Sequence, residues 1–289
     1  MSKICFMTDS ASDISSETEK ELGLVIVPFP VSFGDKTYIS RVDFDETKFY
    51  EMLEAAPEIP TTSQITVYQF MEYYEAAYDD GCSDVINVTI NSEGSGTYNS
   101  ACLAEQMFFE THPEANKVFR IHVLDGASYN CGYGYAVVHG AEMAREGKSI
   151  DEILAFMNDW LTHSVIYFAP YSLKYAAKSG RIPSAAAFVG ELVGLKAIMR
   201  IADHKIVTDD KVRGEKKIIP AIKAKTLKDI RPGSPYVVIG GDHPEDMEAM
   251  ARVMTEALGY PPAGYSRIGA AVAANAGPRV VGVGFRDNK

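Results

Sequence analysis

The chain has no CxxC pair, and none of its four cysteines, Cys5, Cys82, Cys102 and Cys131, stands at a spacing from a histidine that would build a zinc tetrahedron. Reduced, mostly buried thiols are expected, with no metal and no cofactor. Positive charge is scarce as well. Lysine and arginine number 28 against 39 aspartates and glutamates, which leaves a formal net charge of -11 and a pI near 5.1. A phosphate-backbone partner needs the opposite, a clustered basic footprint, so nucleic acid and anionic membrane surfaces are not expected partners. Long apolar runs are missing too. The opening MSKICFMTDS meets Asp9 after a short apolar stretch, and the stretch from Ile182 to Met199 is broken by Glu191 and Lys196. A signal-peptide core or a membrane span needs a longer uninterrupted run. The expectation is a cytoplasmic protein without membrane insertion.

What is present is an ordinary globular composition, 289 residues with 46% hydrophobic and 23% charged, long enough for one large domain or two smaller ones. Strands are expected at Lys3 to Thr8, Val25 to Val31, Asp84 to Ile90 and His122 to Asp125. Helices are expected at Ser15 to Leu22, stopped by Gly23, and at Glu46 to Ala55, Thr66 to Tyr78, Tyr98 to Glu110 and Tyr135 to Arg145. Ser149 and Glu152 form a capping box for a helix that ends near His163. Beyond it the rhythm changes to apolar runs at Val165 to Ala169, Ala197 to Ile201, Tyr236 to Gly240 and Val280 to Phe285, with Asp203-His204 as a hairpin turn. This predicts an α/β fold in two domains: an alternating α/β domain with a parallel-type sheet over 1–160 and a mixed α+β domain over 161–289.

Several loops could carry chemistry, and each has a plain structural alternative. Gly94-Ser95-Gly96-Thr97 stands where a strand delivers its end to a helix, a place that suits an anion; glycines admit a ligand to the backbone and Ser95 donates without formal charge. Equally, Ser95 or Thr97 caps the helix. Thr61-Thr62-Ser63 after Pro60 has the same two readings. Asp9-Ser10, Asp13 and Asp125-Gly126-Ala127-Ser128 follow strands, where carboxylates make Asx-turns or hold ligands. Gly132-Tyr133-Gly134 lacks the third glycine of a dinucleotide loop, which has Val137 in its place. Ser95 does not fit a hydrolase elbow, because its glycines adjoin it directly, and none of the six histidines lies in these loops. Arg181, after Lys178-Ser179-Gly180, is either a planar clamp for an anion or a charge at a helix end.

Taken in order, Thr8-Asp9-Ser10, Thr62-Ser63-Gln64, Ser95-Gly96-Thr97-Tyr98, Gly180-Arg181-Ile182 and Gly277-Pro278 resemble the DegV family over nearly the whole chain. The resemblance implies a two-domain α/β protein that binds one long-chain fatty acid, such as palmitate, between its domains. Some members serve as the binding subunit of a bacterial fatty-acid kinase. By the same resemblance, Thr62 and Ser95 hold the carboxylate, Arg181 stands beside it, and Ser63, Gly96 and Thr97 belong to its surroundings. Kinase-type members carry a histidine in a segment ending His-x-Gly-Pro-Gly. Here Asn275 replaces that histidine and Arg279 the last glycine. An amide still hydrogen-bonds a carboxylate but does not exchange a proton near neutral pH, so binding is expected to survive better than phosphoryl transfer. Glu93 and Gly94, within the usual serine-rich loop, are a further departure.

Burying roughly 14 methylenes at ~0.8 kcal/mol each supplies about 11 kcal/mol before ordering costs, so the tail provides the affinity and the hydroxyls satisfy and orient the headgroup. Phe188, Val189, Leu192 and Val193 are candidates for the tunnel wall, or ordinary core. The expected function is a non-enzymatic carrier in lipid transport or fatty-acid metabolism, presenting its ligand to a separate kinase subunit. The rival is a small-molecule enzyme with Ser95 as nucleophile.

Overall fold

The computed structural model describes residues 3–182 and 194–289. Phe188, Val189, Leu192 and Val193 lie outside the described residues. In chain order the first elements are β1 (Ile4–Asp9), α1 (Ser16–Leu22), β2 (Val25–Val27), β3 (Pro30–Phe33), β4 (Lys36–Ile39), α2 (Glu46–Ala55) and β5 (Thr61–Thr62). They continue with α3 (Val67–Asp79), β6 (Asp84–Thr89), α4 (Thr97–Thr111), β7 (Arg120–Asp125), α5 (Cys131–Arg145) and α6 (Ile150–His163). Next come β8 (Ser164–Pro170), α7 (Lys174–Ser179), β9 (Leu195–Ala202), β10 (Lys205–Arg213), α8 (Ile218–Asp229) and β11 (Tyr236–Gly240). The chain closes with α9 (Pro244–Leu258), β12 (Gly264–Arg267), α10 (Ala270–Ala276) and β13 (Val280–Arg286).

The first sheet runs β2-β1-β6-β7, all parallel. Parallel strands are covered on both faces by their crossover helices and read as near-continuous apolar runs. β6 is buried along its whole length, and Phe6, Ile86, Phe108, Tyr133 and Met157 share one core. The second sheet, β10-β9-β8-β13-β11-β12, is antiparallel except for the β11/β12 pair. Its two faces follow from strand alternation. Val165, Tyr167 and Ala169 of β8 pack with α8 and α9, whereas Ile166 and Phe168 point the other way, toward α10 and α2. A small sheet, β4-β3-β5, adds Val31 to that second cluster together with Phe44, Phe49, Tyr50 and Leu53. Residues 30–53 therefore pack on the sheet formed after residue 163, and Tyr50 donates its hydroxyl to the carbonyl of Ile268 at 2.6 Å.

Local signals account for the element ends. Ser15 and Ser149 cap α1 and α6, the latter through a capping box with Glu152. Asp203 and His204 take positive φ, 50° and 64°, as a two-residue hairpin turn between β9 and β10 requires. Two expectations are corrected. The strand at Val25 to Val31 divides at Pro28-Phe29, so that β2 joins the first sheet and β3 the small one. Helix α5 starts at Cys131, not Tyr135, so Gly132 and Gly134 lie within it. A Cβ there would meet Ser128 Oγ at 2.1 Å and the Ser12 carbonyl oxygen at 2.8 Å. Those glycines let the helix seat on neighbouring turns; they do not form a phosphate loop.

Candidate functional site

Between the inward face of the second sheet and the loops at the ends of β5 and β6 lies a cavity of about 160 Å³, partly open to solvent. Phe29, Ile90, Ile166, Phe168, Ile239 and Ile268 give it apolar walls. The polar groups come from separate stretches: Thr62 with Ser63 and Gln64, Ser95 between Gly94 and Gly96, Tyr129 with Asn130, then Arg181 and Asn275. Chain segments more than 200 residues apart thus converge on one space.

Thr62 is placed by β5, where it pairs with Val31 of β3. The cap of α3 is Thr66, whose side chain forms a capping box with Gln69. The capping role weighed for Thr61-Thr62-Ser63 therefore belongs to Thr66. Among the described residues the Thr62 hydroxyl makes no hydrogen bond, and it faces the cavity free to bind.

Ser95 is different. The N-cap position of α4 is Gly96, which offers no side chain, and Ser95 Oγ accepts from the Thr97 N–H at 3.3 Å and shares a proton with Thr97 Oγ1 at 2.9 Å. Thr97 is fully buried behind it, and accepts from the Ile65 N–H at 3.3 Å. Ser95 thus braces the first turn of α4, as the capping reading has it, and it also lines the cavity. The flanking glycines have a purpose other than ligand approach. A Cβ at Gly94 would fall 2.1 Å from Tyr129 Oη, and one at Gly96 would fall 2.1 Å from Gln64 Oε1. Glycine admits these two side chains to the loop, and they, with it, line the cavity.

Arg181 follows the left-handed cap Gly180 of α7 (φ 71°) and donates from Nη1 to the Ser179 carbonyl at 2.8 Å, leaving its remaining donors exposed at the cavity rim. Its charge reaches Tyr129: burial lifts that phenol above its ordinary value, while a hydrogen bond from Asn91 and the Arg181 charge oppose the rise. Asn275, on α10, donates Nδ2 to the Ala271 carbonyl at 2.8 Å and lines the same cavity. Arg279 does not reach it. That arginine stacks on the Tyr171 ring at 3.8 Å and grips Asp246 with Nε at 2.8 Å and Nη2 at 3.2 Å.

Sequence reasoning passed over Tyr129 and Asn130, which stood between the Asp125-Gly126-Ala127-Ser128 turn and the weak nucleotide motif Gly132-Tyr133-Gly134. The signal lay in geometry: Ala127 and Asn130 hold φ of 50° and 51°, a conformation side chains rarely adopt. Asn130 Nδ2 donates to Asp13 Oδ2 at 2.7 Å, and its own Oδ1 is unpartnered. Asp9 and Asp13 stand behind the site. Asp9 accepts from the Ala11 N–H at 3.0 Å, the Ile90 N–H at 2.6 Å and the Tyr133 hydroxyl at 2.6 Å; burial nevertheless pushes its carboxyl up to about 6. Burial raises Asp13 well above the usual carboxylate range. Asp125 forms the expected Asx-turn to the Ala127 N–H, 2.9 Å, and also ties down the Ser92 N–H at 3.1 Å.

No group of three or more histidine, cysteine or acidic side chains suited to a metal occurs among the described residues, and none of their helices is long and apolar enough to cross a membrane. The DegV family model, described as an uncharacterised protein family, matches residues 3–288. A DegV domain-containing protein of Staphylococcus aureus is 32% identical over 293 residues, covering 99% of this chain and 98% of that protein. A fatty-acid-binding DegV family protein from Thermus thermophilus superposes with a TM-score of 0.82 at 27% identity, over 99% of both chains. A stearic-acid-binding protein from Eubacterium ventriosum shares the fold, with a TM-score of 0.87 at 24% identity over 99% of this chain and 98% of its own. With its α/β fold and full-length match, the chain belongs to the DegV family.

Proposed function

We propose that this protein binds one long-chain fatty acid in the cavity, with the carboxylate at Thr62 and Ser95 and the tail along the isoleucine and phenylalanine walls. The observation that carries this reading is the free Thr62 hydroxyl, set with the Ser95 loop in a cavity whose walls are largely isoleucine and phenylalanine. A buried carboxylate must be hydrogen-bonded, and uncharged hydroxyls do this without a permanent ion pair. Arg181 at the rim adds a positive field, and Ser63, Gly96 and Asn275 complete the headgroup surroundings, with Thr97 bracing Ser95 from behind. The halves 1–160 and 161–289 act as the two walls around the ligand, and the protein works as a carrier in lipid transport or fatty-acid metabolism.

Relatives that bind fatty acids support this assignment. Presentation of the bound acid to a separate kinase subunit is the finer part of the proposal. In it the amide of Asn275, already engaged with its own helix, orients the headgroup and transfers no proton. Ser95 as a nucleophile has less support, because its hydroxyl is engaged with Thr97 and no histidine bonds to it among the described residues. Organic extraction of the purified protein followed by mass spectrometry should release an acid of about 14 to 18 carbons, the length implied by the methylene estimate. Recovery of no lipid, together with no uptake of added palmitate, would refute the assignment.

A further inference from the structure

The loop that carries Ser95 is shaped by Asn91, which is 1% exposed. Its carbonyl accepts from the N–H groups of Gly94 at 3.0 Å and Ser95 at 3.2 Å, and its Oδ1 accepts from the Glu93 N–H at 3.2 Å. Asn91 is in turn held from the other half of the molecule. Its Nδ2 donates to the backbone carbonyl of His204 at 2.7 Å, and the His204 Nδ1 lies 3.1 Å from Asn91 Oδ1. An amide oxygen only accepts, so the imidazole carries its proton on Nδ1 and donates. The two residues thus clasp each other across 113 positions of sequence.

The clasp lines a surface cleft next to the cavity that shares Gly94, Tyr129, Arg181 and Ile206 with it. His204 is at the tip of the β9–β10 hairpin, and the strands behind that tip send Ile201 and Ile206 into the cavity wall. Asn91 Nδ2 also reaches Tyr129 Oη at 3.3 Å, the hydroxyl that fills the space beside Gly94. One pair of side chains therefore ties the apolar wall to the headgroup loop. Asp125 Oδ2 lies 3.6 Å from His204 Nδ1, too long for a hydrogen bond, and Asn91 Oδ1 is the imidazole's acceptor.

We propose that His204 is a positioning residue: through Asn91 it holds the Asn91–Thr97 loop in the form that presents Ser95 to the ligand. This rests on the fatty-acid reading of the cavity, and it adds a residue from the second half to the machinery of a site in the first. A turn residue with φ of 64° has another role, simply to let the hairpin reverse, and the two roles are separable by substitution. Glycine satisfies the turn at least as well as histidine, since Asp-Gly is a preferred pair for this hairpin type, but it has no donor. Asparagine tolerates the positive φ and places an N–H close to where Nδ1 stands.

In the full chain, H204G should keep the thermal midpoint at or above that of the parent protein while weakening cis-parinaric acid binding roughly five- to tenfold, the effect of one lost net hydrogen bond. Amide hydrogen exchange, measured without ligand, should quicken at Glu93, Gly94 and Ser95. H204N should restore both properties. Parent-like exchange at those amides in H204G overturns the positioning role, whether or not the protein binds lipid. So does an H204N variant as weak and as fast-exchanging as H204G. A parent protein that takes up no cis-parinaric acid but shows the exchange change in H204G overturns the fatty-acid reading and leaves the loop-positioning role supported.

Discussion

The two hydroxyls assigned to the carboxylate differ in what else they do, and that difference can be measured. Thr62 Oγ1 has no hydrogen bond among the described residues, so Thr62→Val, which keeps the shape and the β-branch, removes nothing from the ligand-free fold. Its stability should stay within about 0.5 kcal/mol of the parent, as at surface positions without a specific role. Ser95 Oγ accepts from the Thr97 N–H and pairs with Thr97 Oγ1, so Ser95→Ala should cost about 0.5–1.5 kcal/mol of folding free energy. Toward the ligand the two should behave alike. A hydrogen bond to a charged carboxylate contributes about 1.5–3 kcal/mol, so each variant should weaken palmitate binding by about 10- to 150-fold. The double variant should fall short of the product of the two factors, because both hydroxyls serve one headgroup. Urea denaturation of the ligand-free protein gives the first pair of numbers and calorimetric titration the second. A T62V variant that binds palmitate like the parent refutes the assignment of Thr62, and one that unfolds more readily than S95A refutes the account of which hydroxyl supports the fold.

Two further outcomes follow from groups outside the carboxylate contact. Asp9 titrates near 6 in the fold against 3.8 for the free side chain, so the folded state holds its proton more tightly; its contribution is fully present below about pH 4 and lost as pH rises through 6, a span of roughly 3 kcal/mol. Tyr133→Phe removes a donor that favours the ionised carboxylate, so the destabilisation it causes in urea titrations should be larger at pH 8 than at pH 4.5, and a penalty that is flat or smaller at pH 8 contradicts this. Arg279→Gly leaves the mostly buried Asp246 without its bidentate partner and should cost about 1–3 kcal/mol by the same method, with palmitate affinity unchanged. Weakened binding in R279G at full folding would place that arginine in the site, against the geometry.

What the sequence determined by itself was whatever depends on neighbours a few residues away. The helices from Glu46 and Ile150, the capping box of Ser149 and Glu152, the Asp203-His204 turn and the apolar strand Tyr236–Gly240 were all legible from periodicity and local hydrogen-bonding chemistry. The same local rules left Thr62 and Ser95 undecided, because a hydroxyl before a helix reads alike whether it caps the helix or serves a ligand. Resemblance to the family suggested the second role; the tertiary structure showed Thr66 to be the cap and the Thr62 oxygen to be free. It also decided what the glycines are for. Gly132 makes room for Ser128, four residues back, while Gly94 and Gly96 make room for Tyr129 and Gln64, and Gly134 for the turn at Ser12, atoms from distant parts of the chain. Asn130 and the Asn91–His204 clasp were invisible for that reason. Each depends on two segments far apart in the chain meeting in space, and a spacing of more than 100 residues has no period that a sequence could display.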